Sequence, residues 1–408
     1  MDSACSRFGL NGLNFFLAAI QTGFGPFVAV WLTRQHWDET DIGLALSVGT
    51  GVALLAQLPA GILVDSWTRT RVIATAALLM LAGAAVIFAM PATIPSIWIA
   101  EIMHAVASAV MIPVIAAMTL ASCGHAAFGQ RLGMNARYAS IGNAAAGGML
   151  GVVAYYSNEA MVFWTSALLV LPALAMVYLL RLGAERNPPL LGCERSAEAD
   201  AEGVAPWRIF REPALHAFAL CALLFHLANA AMLPLALNEL ALRTTETDFA
   251  VSASIVLPQA IVALFAPWVG ALAQRIGRRP VLLVGFAALP LRALLFSTAP
   301  DATLLVLYQA LDGVSATVFG LMMPLIAADL TRRTGHLNLA IGSIGLAAGL
   351  GATLSTTAAG LVSDYVGHEW AFFGLAGAGV AALVLVFVTM PETRPGGAGG
   401  STVPAVAV

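Results

Sequence analysis

The sequence contains no lysine; all nineteen of its basic residues are arginine. That absence excludes a Gly-x-x-x-x-Gly-Lys phosphate loop and a lysine Schiff base to retinal or pyridoxal phosphate. Charge of either sign is scarce. Of the 408 residues 10% are charged and 60% hydrophobic, whereas a soluble domain carries roughly 25% charged residues. So few charges cannot cover a water-facing surface without leaving apolar patches that aggregate. A lipid solvent removes that problem, and the composition is that of a membrane protein. Cysteine is sparse as well: Cys5, Cys123, Cys193 and Cys221 are scattered, with no Cys-x-x-Cys and no metal-ligand spacing. There is no His-Glu-x-x-His and no Gly-x-Ser-x-Gly, so no metal or other cofactor is expected and an enzyme ranks last among the functions considered. The net charge of −3 provides no basic field for nucleic acid.

What is present is a series of apolar runs. Crossing the hydrocarbon core takes about 20 apolar residues of helix, and twelve such runs occur. The first six fall at roughly 8–32, 42–64, 72–90, 96–120, 137–157 and 160–180. The second six fall at roughly 214–237, 250–271, 281–299, 303–328, 338–362 and 370–390. The expected fold is an all-α membrane protein with twelve transmembrane helices in two pseudo-symmetric six-helix bundles, 1–180 and 214–390. A polar, aperiodic linker (181–213) joins them, and a disordered tail follows (391–408). Sixteen of the nineteen arginines lie at the termini, in the linker or at the loops joining helices 2–3, 4–5, 8–9 and 10–11, while the opposite loops hold only Arg34 and Arg243. The positive-inside rule then puts both termini in the cytoplasm of a cell inner (plasma) membrane, multi-pass.

The halves repeat. Gly61-Ile-Leu-Val-Asp65-Ser-Trp-Thr-Arg69-Thr-Arg71 and Gly270-Ala-Leu-Ala-Gln274-Arg275-Ile-Gly277-Arg278-Arg279-Pro280 each follow the second helix of a half, 209 residues apart. Helices one and seven match at Gln21 and Asn229, each five residues before a proline, and helices four and ten match at His104 and Asp312, both at an offset of 208. Duplicated six-helix halves are a standard plan of secondary transporters. The segment from Gly270 to Pro280 resembles the loop signature of the major facilitator superfamily, Gly-x-Leu-x-Asp-Arg-x-Gly-Arg-Arg. It departs from that signature at Gln274, and the first copy departs at Thr68. The openings Gly12-Leu-Asn14-Phe-Phe and Gln21-Thr-Gly-Phe-Gly-Pro26 resemble a poorly characterised bacterial branch of the family.

The resemblance implies that this loop latches the cytoplasmic side shut, making Asp65, Arg69, Arg71, Gly270, Gly277, Arg278 and Arg279 the candidate gate. A carboxylate at Asp65 can sit over the positive end of a neighbouring helix, and the arginines can pair across the two halves or meet anionic headgroups. Positive-inside topology alone accounts for the arginines, but not for Asp65 or the glycines.

Five ionisable residues fall inside spans: Glu101 and His104 on helix four, His226 on helix seven, Arg292 on helix nine and Asp312 on helix ten. Such groups usually face a cavity or a partner. By resemblance, helices one, four, seven and ten line the central cavity. There Asp312, with His104 and Glu101 as partners across the pseudo-twofold, is the candidate proton-coupling set, and Gln21 and Asn229 are candidate substrate contacts. Plainer alternatives stand beside these. Asp312 could pair structurally with Arg292, Glu101 could reach water at the outer end, His226 could be a hydrogen-bonded packing residue, and the amides could bind helices together. Drug–proton antiporters of the family carry an arginine and glycine on helix four and a Gly-Pro on helix five. Here helix four has Glu101-Ile-Met-His104-Ala105, and helix five keeps glycines without the proline. The expected protein is a proton-coupled secondary active transporter of a small solute and a monomer. The alternatives are a proton-independent facilitator of the same fold and a non-transporting receptor.

Overall fold

The computed structural model describes residues 4–180 and 206–393, apart from 25, 38, 68, 244–246, 299–300 and 333. Most of the expected linker (181–205) and tail (394–408), and Thr68, lie outside the described residues. In chain order the helices are α1 (Ala4–Thr22), α2 (Pro26–Arg34), α3 (Glu39–Ser66), α4 (Thr70–Phe88), α5 (Ile94–Tyr156), α6 (Glu159–Leu179), α7 (Pro213–Asn229), α8 (Met232–Arg243), α9 (Thr247–Ile276), α10 (Arg278–Ser297), α11 (Ala302–Tyr308), α12 (Ala310–Leu330), α13 (Leu337–Tyr365) and α14 (His368–Thr389).

Ten described helical stretches are long and apolar enough to cross a membrane. Two features reconcile that number with twelve spans. The 63-residue α5 is two spans joined at Gly124, whose φ of 68° and ψ of 175° are not helical; glycine tolerates a positive φ that a side chain would oppose. The first span is α1 and α2 separated by a turn, and it is not among the ten. The seventh breaks in the corresponding place, between α7 and α8. Each half therefore begins with an interrupted helix.

Two large apolar clusters and a small one hold the molecule. One large cluster is built from α1–α6 around Leu13, Leu78, Phe88 and Phe163; the other is built mainly from α7–α14 around Phe218, Phe286, Met322 and Ile326, with Phe128 and Leu132 of α5 joining it across the halves. The ends of the expected linker and tail are ordered parts of the second half. Residues 206–211 form a 3-10 turn whose Ile209 is buried in the C-terminal core. The tail expected from 391 onward begins instead with contacts. Glu392 accepts the backbone N–H groups of Arg278 (2.9 Å) and Arg279 (3.2 Å), and Thr393 donates to Asp329 at 3.2 Å. A carboxylate over the first turn of α10 satisfies amides that have no partner within the helix, which is why the chain stays docked here.

Candidate functional site

At the expected gate the first contacts are made by glycines. A Cβ on Gly61 would stand 2.3 Å from the carbonyl O of Asn338, and one on Gly270 would stand 2.2 Å from that of Gly129. One turn away, a Cβ on Gly342 would stand 2.3 Å from Gln57 O, and one on Gly133 2.4 Å from Ala266 O. These four approaches form two pairs under the same 209-residue shift: 61 with 270 and 338 with 129, then 342 with 133 and 57 with 266. Backbone thus meets backbone along α3 against α13 and along α5 against α9, and both seams join one half to the other. Further along the same helix faces the contact ends. Gly43 on α3, Gly147 and Gly151 on α5, and Gly360 on α13 would meet nothing within 4 Å. Among the described residues the halves meet at the end carrying the signature loops, and toward the other end these glycine positions have no neighbour across the seams.

Asp65 closes the first seam. Its Oδ1 accepts from Asn338 N (3.1 Å) and Nδ2 (2.7 Å), and its Oδ2 accepts from Leu339 N at 2.8 Å. One half thereby places a carboxylate over the N-terminus of a 29-residue helix of the other, the arrangement in which helix dipole and orphan amides both favour the anion. Gln274 holds the equivalent place on the second seam, where its Nε2 lies 3.5 Å from His125 O.

The gate arginines do not bridge the halves in the way the sequence suggests. Arg278, 2% exposed, pairs with Asp329 within its own half (Nε to Oδ2, 2.8 Å) and donates to Ala273 O. Arg71 donates to Leu180 O and Arg279 to Phe387 O, so each cations the carbonyl end of the last helix of its own half, where positive charge is favoured. Arg69 is exposed at the start of α4. Gly277 has φ 110°, and a Cβ there would fall 2.2 Å from the Glu392 carboxylate.

Arg137 does cross. Its Nε donates to Ala263 O at 2.7 Å and its Nη2 to Leu264 O at 3.2 Å. Pro267 explains why Ala263 O is available: four residues on, it has no N–H to offer, and its ring disrupts the helical ladder. Arg137→Leu is expected to lower unfolding stability by about 1.5–3 kcal/mol, the worth of a hydrogen bond to a charged donor. Thermal unfolding of the purified variant in detergent checks this, and an unchanged midpoint would deny the bond that weight.

Within the membrane the expected residues form two groups. In the first half a cavity of about 700 Å³ is lined by Gln21, Phe24, Glu101, His104 and Ser108, with Leu46, Gly49 and Thr50 of α3. Glu101 is 6% exposed and has no hydrogen bond or ion pair among the described residues. Gly49 makes room for it, since a Cβ there would stand 2.2 Å from Glu101 Oε2. His104 stacks on Phe24 with ring centroids 4.3 Å apart and an interplanar angle of 17°, and Gln21 Nε2 donates to Ser108 Oγ at 3.4 Å.

In the second half Arg292, 1% exposed, gathers its neighbours. It forms an ion pair with Asp312 and donates to Asn229 Oδ1 (2.6 Å), Asn229 O (3.4 Å) and Gln309 Oε1 (3.4 Å), with its Nε 3.2 Å from Met232 Sδ. The Asn229 carbonyl is free because α7 ends there. The partner of Asp312 is thus Arg292, the plainer alternative, and not His104 or Glu101 across the pseudo-twofold. His226 bonds Ala222 O at 3.0 Å and packs edge-on to Phe319; no described contact joins it to either group.

Sequence reasoning missed Arg137, Asp329, Gln309 and Glu392. The first two sit at span ends, where charge reads as topology. Gln309 is a neutral amide in an apolar run, and Glu392 follows a proline in a stretch that looks unstructured.

Two repeated six-span bundles, sealed at one end around polar groups buried in the bilayer, define a membrane transporter of the two-bundle class. The chain belongs to the Major Facilitator Superfamily, whose sequence pattern matches residues 5–257 and 218–406. It is 36% identical over 399 residues, covering 94% of this chain and 93% of the relative, to an uncharacterized MFS-type transporter of Mycobacterium tuberculosis (strain ATCC 25618 / H37Rv). It is also 28% identical over 131 residues, 32% of each chain, to the class B tetracycline resistance protein of Escherichia coli. Its fold is similar, at a TM-score of 0.71 and 13% identity over 93% of this chain and 98% of the other, to the crystal structure of a bacterial homologue of the iron transporter ferroportin in an outward-facing state.

Proposed function

We propose that this transporter moves a small organic solute by alternating access coupled to protons, in the inner membrane of a bacterium with both termini cytoplasmic. The bundles 1–180 and 214–390 rock about the central spans as a monomer. The observation that carries the proposal is the sealing of the halves at the arginine-rich end, with parted helix faces at the other. That geometry supports a carrier whose site faces outward. A buried carboxylate beside a histidine, Glu101 and His104, supports proton coupling, because both groups change charge within a biological pH range when their surroundings allow. Asp312 is the third candidate, held by Arg292.

The test uses purified protein in liposomes with an imposed pH gradient and a solute panel that includes tetracycline, chosen from the partial relative's name. Expected is accumulation above equilibrium that collapses with the gradient. Equilibration at the same rate with and without the gradient would replace proton coupling with facilitated diffusion.

A further inference from the structure

The surroundings of Arg292 recur in the first half without the arginine. Its partners Asn229, Met232, Gln309 and Asp312 stand 208 residues after Gln21, Phe24, Glu101 and His104, and all four of those line the first-half cavity. Phe296, whose ring lies 5.7 Å from the Arg292 guanidinium carbon, corresponds to Phe88, which meets Phe24 edge-on at 5.9 Å. At the same shift from Arg292 stands Ala84, fully buried, with Gly83 beside it. One half therefore holds a cation inside a fixed shell, and the other repeats that shell without the cation, around a cavity of about 700 Å³. Across the correspondence the neutral Gln309 becomes the acid Glu101, so the first-half cavity retains one carboxylate with no arginine among its lining residues to answer it.

We propose that this cavity is the binding site of an organic monocation whose guanidinium or ammonium head answers Glu101 as Arg292 answers Asp312 in the other half. The head sits against the Glu101 carboxylate, within reach of the Gln21 amide and over the Phe24–His104 stack, since aromatic faces attract cations. The apolar body lies along Leu46 and Ile112. A volume of about 700 Å³ admits a drug-sized solute. An anion is disfavoured, because Arg292 is spent on Asp312, Asn229 and Gln309. The inference rests on the transporter assignment and adds the class of substrate to it.

The experiment is calorimetric binding to full-length protein in lipid nanodiscs, with benzylguanidinium as the cation, benzylurea as its neutral analogue and phenylacetate as the anion. Expected is binding of benzylguanidinium alone, weakened at least about tenfold, or about 1.4 kcal/mol, in Glu101→Gln and partly restored in Glu101→Asp. Ala84→Arg, which returns the missing guanidinium, is expected to abolish binding. If that variant fails to fold, the Glu101 pair decides alone. Equal binding of phenylacetate or benzylurea, unchanged affinity in Glu101→Gln, or no binding of benzylguanidinium at millimolar concentration each overturn the site. Solute uptake driven by a pH gradient in the same preparation is read separately, so the cation site can fail while the transporter assignment stands, and the reverse.

Discussion

Replacing Asp312 by asparagine is expected to abolish pH-driven transport and to cost about 3–5 kcal/mol of stability, because it strands a buried guanidinium without its counter-charge. Arg292 is 1% exposed, and its remaining partners are neutral: two groups of Asn229, the Gln309 amide and the Met232 sulfur. The variant should still insert, because the apolar spans that drive insertion are untouched. Structural and coupling roles separate in the double variant Arg292→Met with Asp312→Leu. Replacing a buried ion pair with apolar groups of similar volume is often neutral or stabilising, so thermal unfolding in detergent should return to near the wild-type midpoint. Transport should stay lost if Asp312 carries the coupling proton. Recovery of uphill transport in the double variant would move the coupling role to Glu101 and His104 and leave Asp312 a structural partner.

The second large effect is expected at the seams. Gly270→Ala puts a methyl group 2.2 Å from a backbone oxygen, and Gly61→Ala puts one 2.3 Å from another. Neither oxygen belongs to a side chain that could swing away, so the whole helix must retreat. Each variant is expected to hold the signature-loop end open and to cut transport by more than about tenfold, since losing even 1.4 kcal/mol of closure costs that much. Spin labels on α3 and α13 near Asp65 and Asn338, measured by pulsed electron resonance, should move apart by several ångströms. Gly147→Ala and Gly360→Ala, where a Cβ meets nothing within 4 Å, serve as controls and should leave the distances alone. Unmoved labels in Gly61→Ala, whose methyl group falls on the labelled seam, would show that the seam is soft.

Apolar runs and the 208- and 209-residue offsets in the sequence were enough to anticipate twelve spans in two repeats, because bilayer thickness imposes a length that no competing effect disguises. The breaks within the first and seventh spans were less legible. Their Gly and polar residues sit inside runs whose average hydropathy remains that of a span. Asp65 over a helix N-terminus was anticipated from its placement at a span end, and α13 supplies that N-terminus. The roles of the arginines stayed open for a physical reason: a charge count cannot tell a guanidinium that bridges two bundles or meets headgroups from one that caps its own helix. Arg71 and Arg279 cap carbonyl ends, while Arg137, counted with the loop charges, reaches across. For the central residues the sequence could list Arg292, Asp312, Glu101 and His104 but not sort them into a satisfied set and an open one, because that depends on which helix faces meet.

The two seams also respond differently to acid. The backbone repeats across them, yet one is clasped by an anion gripping amide donors and the other by a cation gripping carbonyls. A guanidinium keeps its proton under any biological condition, so acidity leaves the Arg137 clasp untouched. A carboxylate that takes up a proton loses its hold on a helix N-terminus, so Asp65 is the clasp that acid can undo. Of the two clasps, Asp65 and Arg137, only the first changes charge with acid. Protons reaching that face would loosen the α3–α13 side first and give the closed end a preferred edge at which to part.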